Sequence, residues 1–143
     1  MAGFSILASG DTSAVGLQIS AGDVGGMPLF VLVGELDIYT VPQFQKAVQT
    51  VVEDAPGIAV DLSDISLVDS SGLGALLRLA QSDGRWRPVA LVCQGPSMPR
   101  LLELTKLADR FIVVDTVDEI ATAFGAATKR RESQQTGDDE SIR

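Results

Sequence analysis

Four short runs of apolar residues recur along the chain: PLFVLVGEL (28–36), GIAVDLS (57–63), PVALVC (88–93) and FIVVD (111–115). Helix-length amphipathic stretches separate them, and this alternation constrains the fold more than any other feature. A β-rich run, a segment of 3.6-residue period and a second β-rich run make a βαβ unit, with parallel strands and the helix lying on the sheet. Repeated, the unit predicts an α/β domain with a mostly parallel sheet. An earlier run, VGLQIS (15–20), alternates apolar and polar residues, and the turn GDVGG (22–26) sends the chain back into 28–36. An N-terminal antiparallel hairpin therefore makes the sheet mixed.

About four helices are expected. The first starts at Thr40, which stands at capping-box spacing from Gln43. Pro42 falls in the first turn, where no amide bond is lost. Phe44, Val48, Val51 and Val52 form its apolar face, the acids Glu53 and Asp54 follow, and Pro56-Gly57 stops it. The segment DISLVD (64–69) reads as a loop into a second helix, from about Ser71 to Ser82, with Leu73, Leu76, Leu77 and Ala80 inward. Ser97 caps a third helix through about Asp109, with Leu101, Leu104, Leu107 and Ala108 inward. Thr116 and Glu119 form a capping box for a fourth, carrying Ile120, Ala123, Phe124 and Ala127.

The 143 residues suit one domain, read as residues 14–128. Residues 1–13 are small and polar, a flexible extension. The stretch KRRESQQTGDDESIR (129–143) holds a single apolar residue, Ile142, and buries too little to offset its ordering entropy, so it reads as a disordered polar tail.

Composition narrows the function. Nineteen acids against eleven bases give a net charge of −8, the wrong sign for a nucleic-acid backbone or an anionic membrane. The chain has no histidine, which removes Ser-His-Asp catalysis and histidine metal ligation. Cys93 is the lone cysteine. It closes the apolar run VALVC and reads as a small buried hydrophobe. MAGFSILASGDTS lacks the basic start and long apolar stretch of a signal peptide, and no apolar run approaches a membrane span. The expectation is a cytoplasmic binding module, not an enzyme, without cofactor or metal.

The unusual stretch is Asp69-Ser70-Ser71-Gly72-Leu73-Gly74, between a strand and a helix, at the sheet end where α/β folds place their sites. Two serines and two glycines are poor helix formers. With the leucines inward, Ser71, Gly74, Ala75 and Arg78 face outward, Ser70 stands at the cap position beside them, and Asp69 points toward the loop. Two readings fit the spacing: an ordinary N-cap with glycines easing a turn, or a smooth track on which another protein docks.

The sequence DSSGLG after a V/I-rich strand, with Gly34-Glu35-Leu36-Asp37 about 35 residues earlier, resembles a STAS domain of the anti-sigma factor antagonist type. PSMPRLLELTKLADRFIVVDTVDEI is similar to the closing helix–strand–helix portion of that family, and the likeness covers about residues 28–125. It implies that Ser70 is phosphorylated by a partner that is both an anti-sigma factor and an ATP-dependent serine kinase. The unphosphorylated form then binds that partner and frees a sigma factor, so the protein is a bacterial regulator of transcription. The phosphorylated form lets go, and a serine phosphatase resets the cycle. The implied interface takes in the loop of Glu35 and Asp37, together with Asp69, Ser71, Gly72, Gly74, Ala75 and Arg78. Ile38 and Tyr39 stand where the family usually has small polar residues; Tyr39 is either an exposed contact or packed onto the domain. The acids Glu35, Asp37 and Asp69 either meet a basic partner or are solvated loop acids.

Other readings compete. A receiver domain would use Asp61 near a strand end, but Thr-Val-Asp-Glu after FIVVD offers no lysine. A nucleotide-hydrolysing enzyme would need GxxxxGK[ST], which the chain does not contain. Within the family, a STAS scaffold or sensory module binding another protein or a small ligand is the alternative.

Overall fold

The computed structural model describes residues 5–6, 16–49, 55–82 and 84–125. Its strands are β1 (Ser5–Ile6), β2 (Leu17–Val24), β3 (Met27–Leu36), β4 (Ile58–Val68), β5 (Gln81–Ser82), β6 (Arg85–Trp86), β7 (Val89–Val92) and β8 (Ile112–Val114). Its helices are α1 (Val41–Gln49), α2 (Ser70–Leu79), α3 (Ser97–Leu104) and α4 (120–125). Six strands form one sheet in the order β1-β2-β3-β4-β7-β8. β1, β2 and β3 pair antiparallel, and β3, β4, β7 and β8 pair parallel. β5 and β6 form a separate two-stranded ribbon. The mixed α/β sheet read from the sequence is the one found.

The hairpin turns through Gly25-Gly26, with Val24 opposite Met27. Residues 5–6 of the expected N-terminal extension pair with β2. The rest of 1–13, the helix residues Val51, Val52, Glu53, Asp54 and Ala127, and the tail 129–143 lie outside the described residues.

Two apolar layers sandwich the sheet. On one face Phe30, Leu32 and Leu36 of β3 pack with Phe44 and Val48 of α1, Leu73, Leu76 and Leu79 of α2, and Leu102 of α3. On the other, Leu29, Ala59, Ala90 and Val114 pack with Ile120 and Phe124. Arg110 stacks over the Trp86 ring at 4.1 Å, joining the segment after α3 to the β5–β6 ribbon.

Several local expectations are corrected. DISLVD is not a loop: β4 runs on through it, paired with β3 across two register shifts. The shifts replace two-residue alternation by a three-residue step, so Leu62, Ile65 and Val68 face one core while Ser63, Ser66 and Leu67 are exposed. α3 ends at Leu104 rather than near Asp109, because Lys106 takes a left-handed conformation (φ 62°). Leu102 is its buried residue; Leu104 is 76% exposed, Leu101 and Leu107 are half-buried and Ala108 is exposed. Ser97, the expected cap of α3, is its first residue, with Pro96 at the cap position, and Thr116 makes no side-chain capping bond. Glu119 instead accepts from the Asp115 amide.

Candidate functional site

The parallel register of β3 and β4 places Leu36 opposite Val68. Their C-terminal ends therefore lie side by side, and the loops GELD and DSSG meet although some thirty residues separate them. The Asp69 amide donates to the Leu36 carbonyl at 3.3 Å.

Asp69 holds the junction together. One carboxylate oxygen accepts the Gly72 amide at 2.9 Å and the other accepts the Ile38 amide at 3.2 Å. Asp69 is therefore the N-cap of α2, and the expectation that Ser70 caps is corrected. A carboxylate satisfies an orphan amide at a helix start about as well as a serine hydroxyl and also meets the positive end of the dipole. Ser70 is displaced one position inward, to the first residue of α2, and is exposed.

Asp37 builds the opposite loop. Its Oδ1 accepts the amides of Tyr39 at 2.9 Å and Thr40 at 3.0 Å. The Thr40 hydroxyl accepts from the Asp37 amide at 3.0 Å and donates to the Glu35 carbonyl at 2.8 Å, buried as it does so. Thr40 and Gln43 make no capping box: the Gln43 amide group reaches across to the Leu17 carbonyl at 2.9 Å. Gly34, at φ 120°, allows the Glu35 amide to bond the Gly16 carbonyl at 2.6 Å, a geometry a side chain would block.

The α2 surface is narrower than the helical wheel suggested. Ala75, expected to face outward, and Gly72, expected in the implied interface, are both buried. A Cβ on Gly72 would collide with the Leu36 carbonyl oxygen, so this glycine lets α2 start directly on the end of β3. Ala75 sits against the core with Leu76 and Leu79, while Leu77 is only half-buried. The outward line is Ser70, Gly74 and Arg78, one turn apart, flanked by half-buried Ser71. Glu35 is exposed, Tyr39 is 87% exposed and Ile38 60%. The alternatives for Tyr39 thus resolve to an exposed ring.

Sequence reasoning missed Ile38 as a surface residue and Thr40 as the internal tie of its loop. The Ile-Tyr pair standing in a loop was the available signal for the first. Among the described residues, no three metal-ligating side chains gather closely enough to hold an ion, and no helix is long and apolar enough to cross a membrane. Both oxygens of Asp69, the carboxylate nearest Ser70 in sequence, are engaged by amides. Ser70, next to it in the chain, is exposed to solvent.

Comparison with known proteins gives the same picture. The STAS domain model matches residues 18–120. The anti-sigma-B factor antagonist of Listeria monocytogenes is 34% identical over 98 residues, covering 66% of this chain and 84% of the relative. The anti-sigma-F factor antagonist RsfB of Mycobacterium tuberculosis is 25% identical over 107 residues, covering 74% and 88%. Among solved structures, an anti-sigma factor antagonist from Mycobacterium paratuberculosis superposes with a TM-score of 0.65 at 28% identity, covering 76% of this chain and 93% of that one. Unphosphorylated SpoIIAA shares the fold, with a TM-score of 0.56 at 22% identity over 75% and 96% of the two chains. With its motif loops joined through Asp69 and its matched region running from β2 to the start of α4, this chain belongs to the STAS domain family.

Proposed function

We propose that the chain is an anti-sigma factor antagonist whose grip on its partner is released by phosphorylation of Ser70. Unphosphorylated, it docks on an anti-sigma factor that is also a serine kinase, and so frees a sigma factor. The surface offered is the line Ser70, Ser71, Gly74 and Arg78, with Glu35 and Tyr39 beside it. Asp37, Asp69, Gly72 and Ala75 shape that surface from beneath.

One observation carries this reading: an exposed serine at the first position of α2, beside a capping carboxylate whose two oxygens each already accept an amide. The partner kinase would transfer the γ-phosphoryl group of ATP to the Ser70 oxygen and take up the hydroxyl proton. The new dianion finds the Gly72 and Ile38 amides occupied by Asp69, so it projects outward. It brings about −1.5 to −2 charges to a surface of small residues. Burying such a group against a close-fitting partner costs several kcal/mol, and the complex dissociates while the domain stays folded. A serine phosphatase restores the binding form. The relatives named as antagonists of anti-sigma factors support the role.

The test is to incubate the purified chain with ATP and candidate anti-sigma kinases and to map the modified residue by mass spectrometry. Modification at Ser70, lost in Ser70→Ala, is expected. Efficient labelling elsewhere with Ser70 untouched sinks the proposal.

A further inference from the structure

β4 is eleven residues long, yet only Ile58–Asp61 pair with β7. From Leu62 to Val68 it has β3 on one side, and among the described residues no strand on the other. That open edge faces α3 across a groove. Leu62–Val68 form one wall, Ser97, Met98 and Leu101 the other, and Cys93 and Gln94 also line it. Its volume is about 650 Å³, within the usual range for binding clefts.

An unpaired strand edge presents amides and carbonyls along its length, and proteins normally cover or blunt it. Here the edge lies beside a helix, which guards it from sheet-to-sheet aggregation, and an open groove separates the two. A strand edge facing a helix is the arrangement in which a peptide adds to a sheet, with main-chain bonds giving affinity and side-chain pockets giving selectivity. Leu62, Ile65, Met98 and Leu101 supply apolar contacts; Ser63, Ser66, Gln94 and Ser97 supply polar ones.

The sign of the occupant follows from charge. Asp64 is the single charged residue among those lining the groove. At the same end of the sheet, burial first and then the fields of Asp115 and Asp61 push the Cys93 thiol up. The lining thus carries one negative charge and no positive one, which disfavours phosphates and nucleotides and favours a cationic side chain.

We infer that the groove between the free edge of β4 and α3 binds an extended, basic peptide segment of a partner protein, which adds to the sheet as a strand opposite β3. This rests on strand pairing and groove charge alone, and holds whether or not Ser70 is phosphorylated. The edge ends at Val68, one residue before Asp69, so a chain bound there is continuous with the Ser70 surface.

The test uses the ¹⁵N-labelled full chain and a panel of seven-residue peptides of alternating valine and threonine, each with one arginine at a successive position. At least one member is expected to shift the amides of 62–68 and 97–101 and to protect those of 62–68 from exchange. Methylating alternate peptide nitrogens leaves the charge unchanged and is expected to weaken binding more than about tenfold, since ladder bonds are lost. Asp64→Asn, at an exposed position, is expected to weaken it about tenfold. Ser97→Arg, also exposed, obstructs the groove and should remove binding with an unchanged circular dichroism spectrum. No binding by any member, equal binding of the methylated peptide, or shifts confined to another surface overturns the inference. So does concentration-dependent shifting of 62–68 without peptide, which would assign the groove to a second copy of the chain.

Discussion

The Asp69 carboxylate accepts the backbone amide of Ile38, a residue thirty-one positions earlier in the chain, at 3.2 Å. Its other oxygen caps α2 through Gly72. One side chain thus fastens the loop after β3 to the helix that presents Ser70. Asp69→Ala removes the cap, worth about 1 kcal/mol, and a second charge-assisted bond, for a total loss of about 2–3 kcal/mol in urea denaturation. The Ile38 amide should exchange faster in the variant, which a mere loss of helix propensity would not produce.

Two glycines two residues apart should respond in opposite directions. Gly72→Ala drives a methyl into the Leu36 carbonyl, a rigid backbone neighbour, and should cost at least about 2 kcal/mol, as overpacking at an unyielding site does. A Cβ on Gly74 meets nothing within 4 Å. Gly74→Ala should raise stability by about 0.5–1 kcal/mol through the lower entropy of the unfolded chain. Equal effects from both would mean that Gly72 does not lie on the end of β3.

The sheet and the positions of both motif loops were legible in the sequence because apolar runs and turn residues repeat at βαβ spacing. What was not legible depended on contacts distant in sequence. The extension of β4 is hidden because its core-facing residues, Leu62, Ile65 and Val68, step by three where bulges break the two-residue rhythm. Ser70 looked like a cap because serine often is one. Only the neighbouring Ile38 amide and the close approach of Leu36 to Gly72 explain why Asp69 takes that place. Ala75 looked outward because a wheel drawn from leucines alone ignores a small residue that fits against the sheet.

The thiol of Cys93 gives a pH signature. Burial, with Asp115 and Asp61 adding to it, raises its folded pKa above the unfolded value of about 8.5. The folded state therefore holds the proton more tightly. The corresponding stability is fully present below about pH 8.5 and is lost as pH climbs through the folded pKa. Cys93→Ala leaves a constant packing defect but lacks this titration. The stability gap between wild type and variant should hence be flat below about pH 8 and shrink above pH 9. A gap that does not change across that range would place the thiol in water.

The loop pair Ile38 and Tyr39 is 60% and 87% exposed and spends apolar surface on solvent. Replacing either by serine should alter stability by less than about 0.5 kcal/mol, as surface changes do. An exposed aromatic beside the Ser70 line is the kind of anchor that costs 1 kcal/mol or more, roughly, when truncated in an interface. Calorimetric titration with the anti-sigma partner should show Tyr39→Ser weakened about fivefold or more. Unchanged affinity would remove the loop from the docking surface.

Ser70→Glu separates a binding switch from a folding switch. The first turn of α2 holds no acidic side chain, and the helix dipole favours an anion there by about 0.3–1 kcal/mol. The variant should thus be at least as stable as wild type in urea, with Ser70→Ala within about 0.5 kcal/mol of it. Partner binding should divide the two: Ser70→Ala keeps full affinity and no longer responds to ATP, whereas Ser70→Glu binds at least about tenfold more weakly, because its carboxylate must be desolvated against the partner. If Ser70→Glu instead lost stability in step with affinity, the charge would be acting on the helix itself. The exposed position of Ser70, outside the amides that Asp69 already occupies, argues against that outcome.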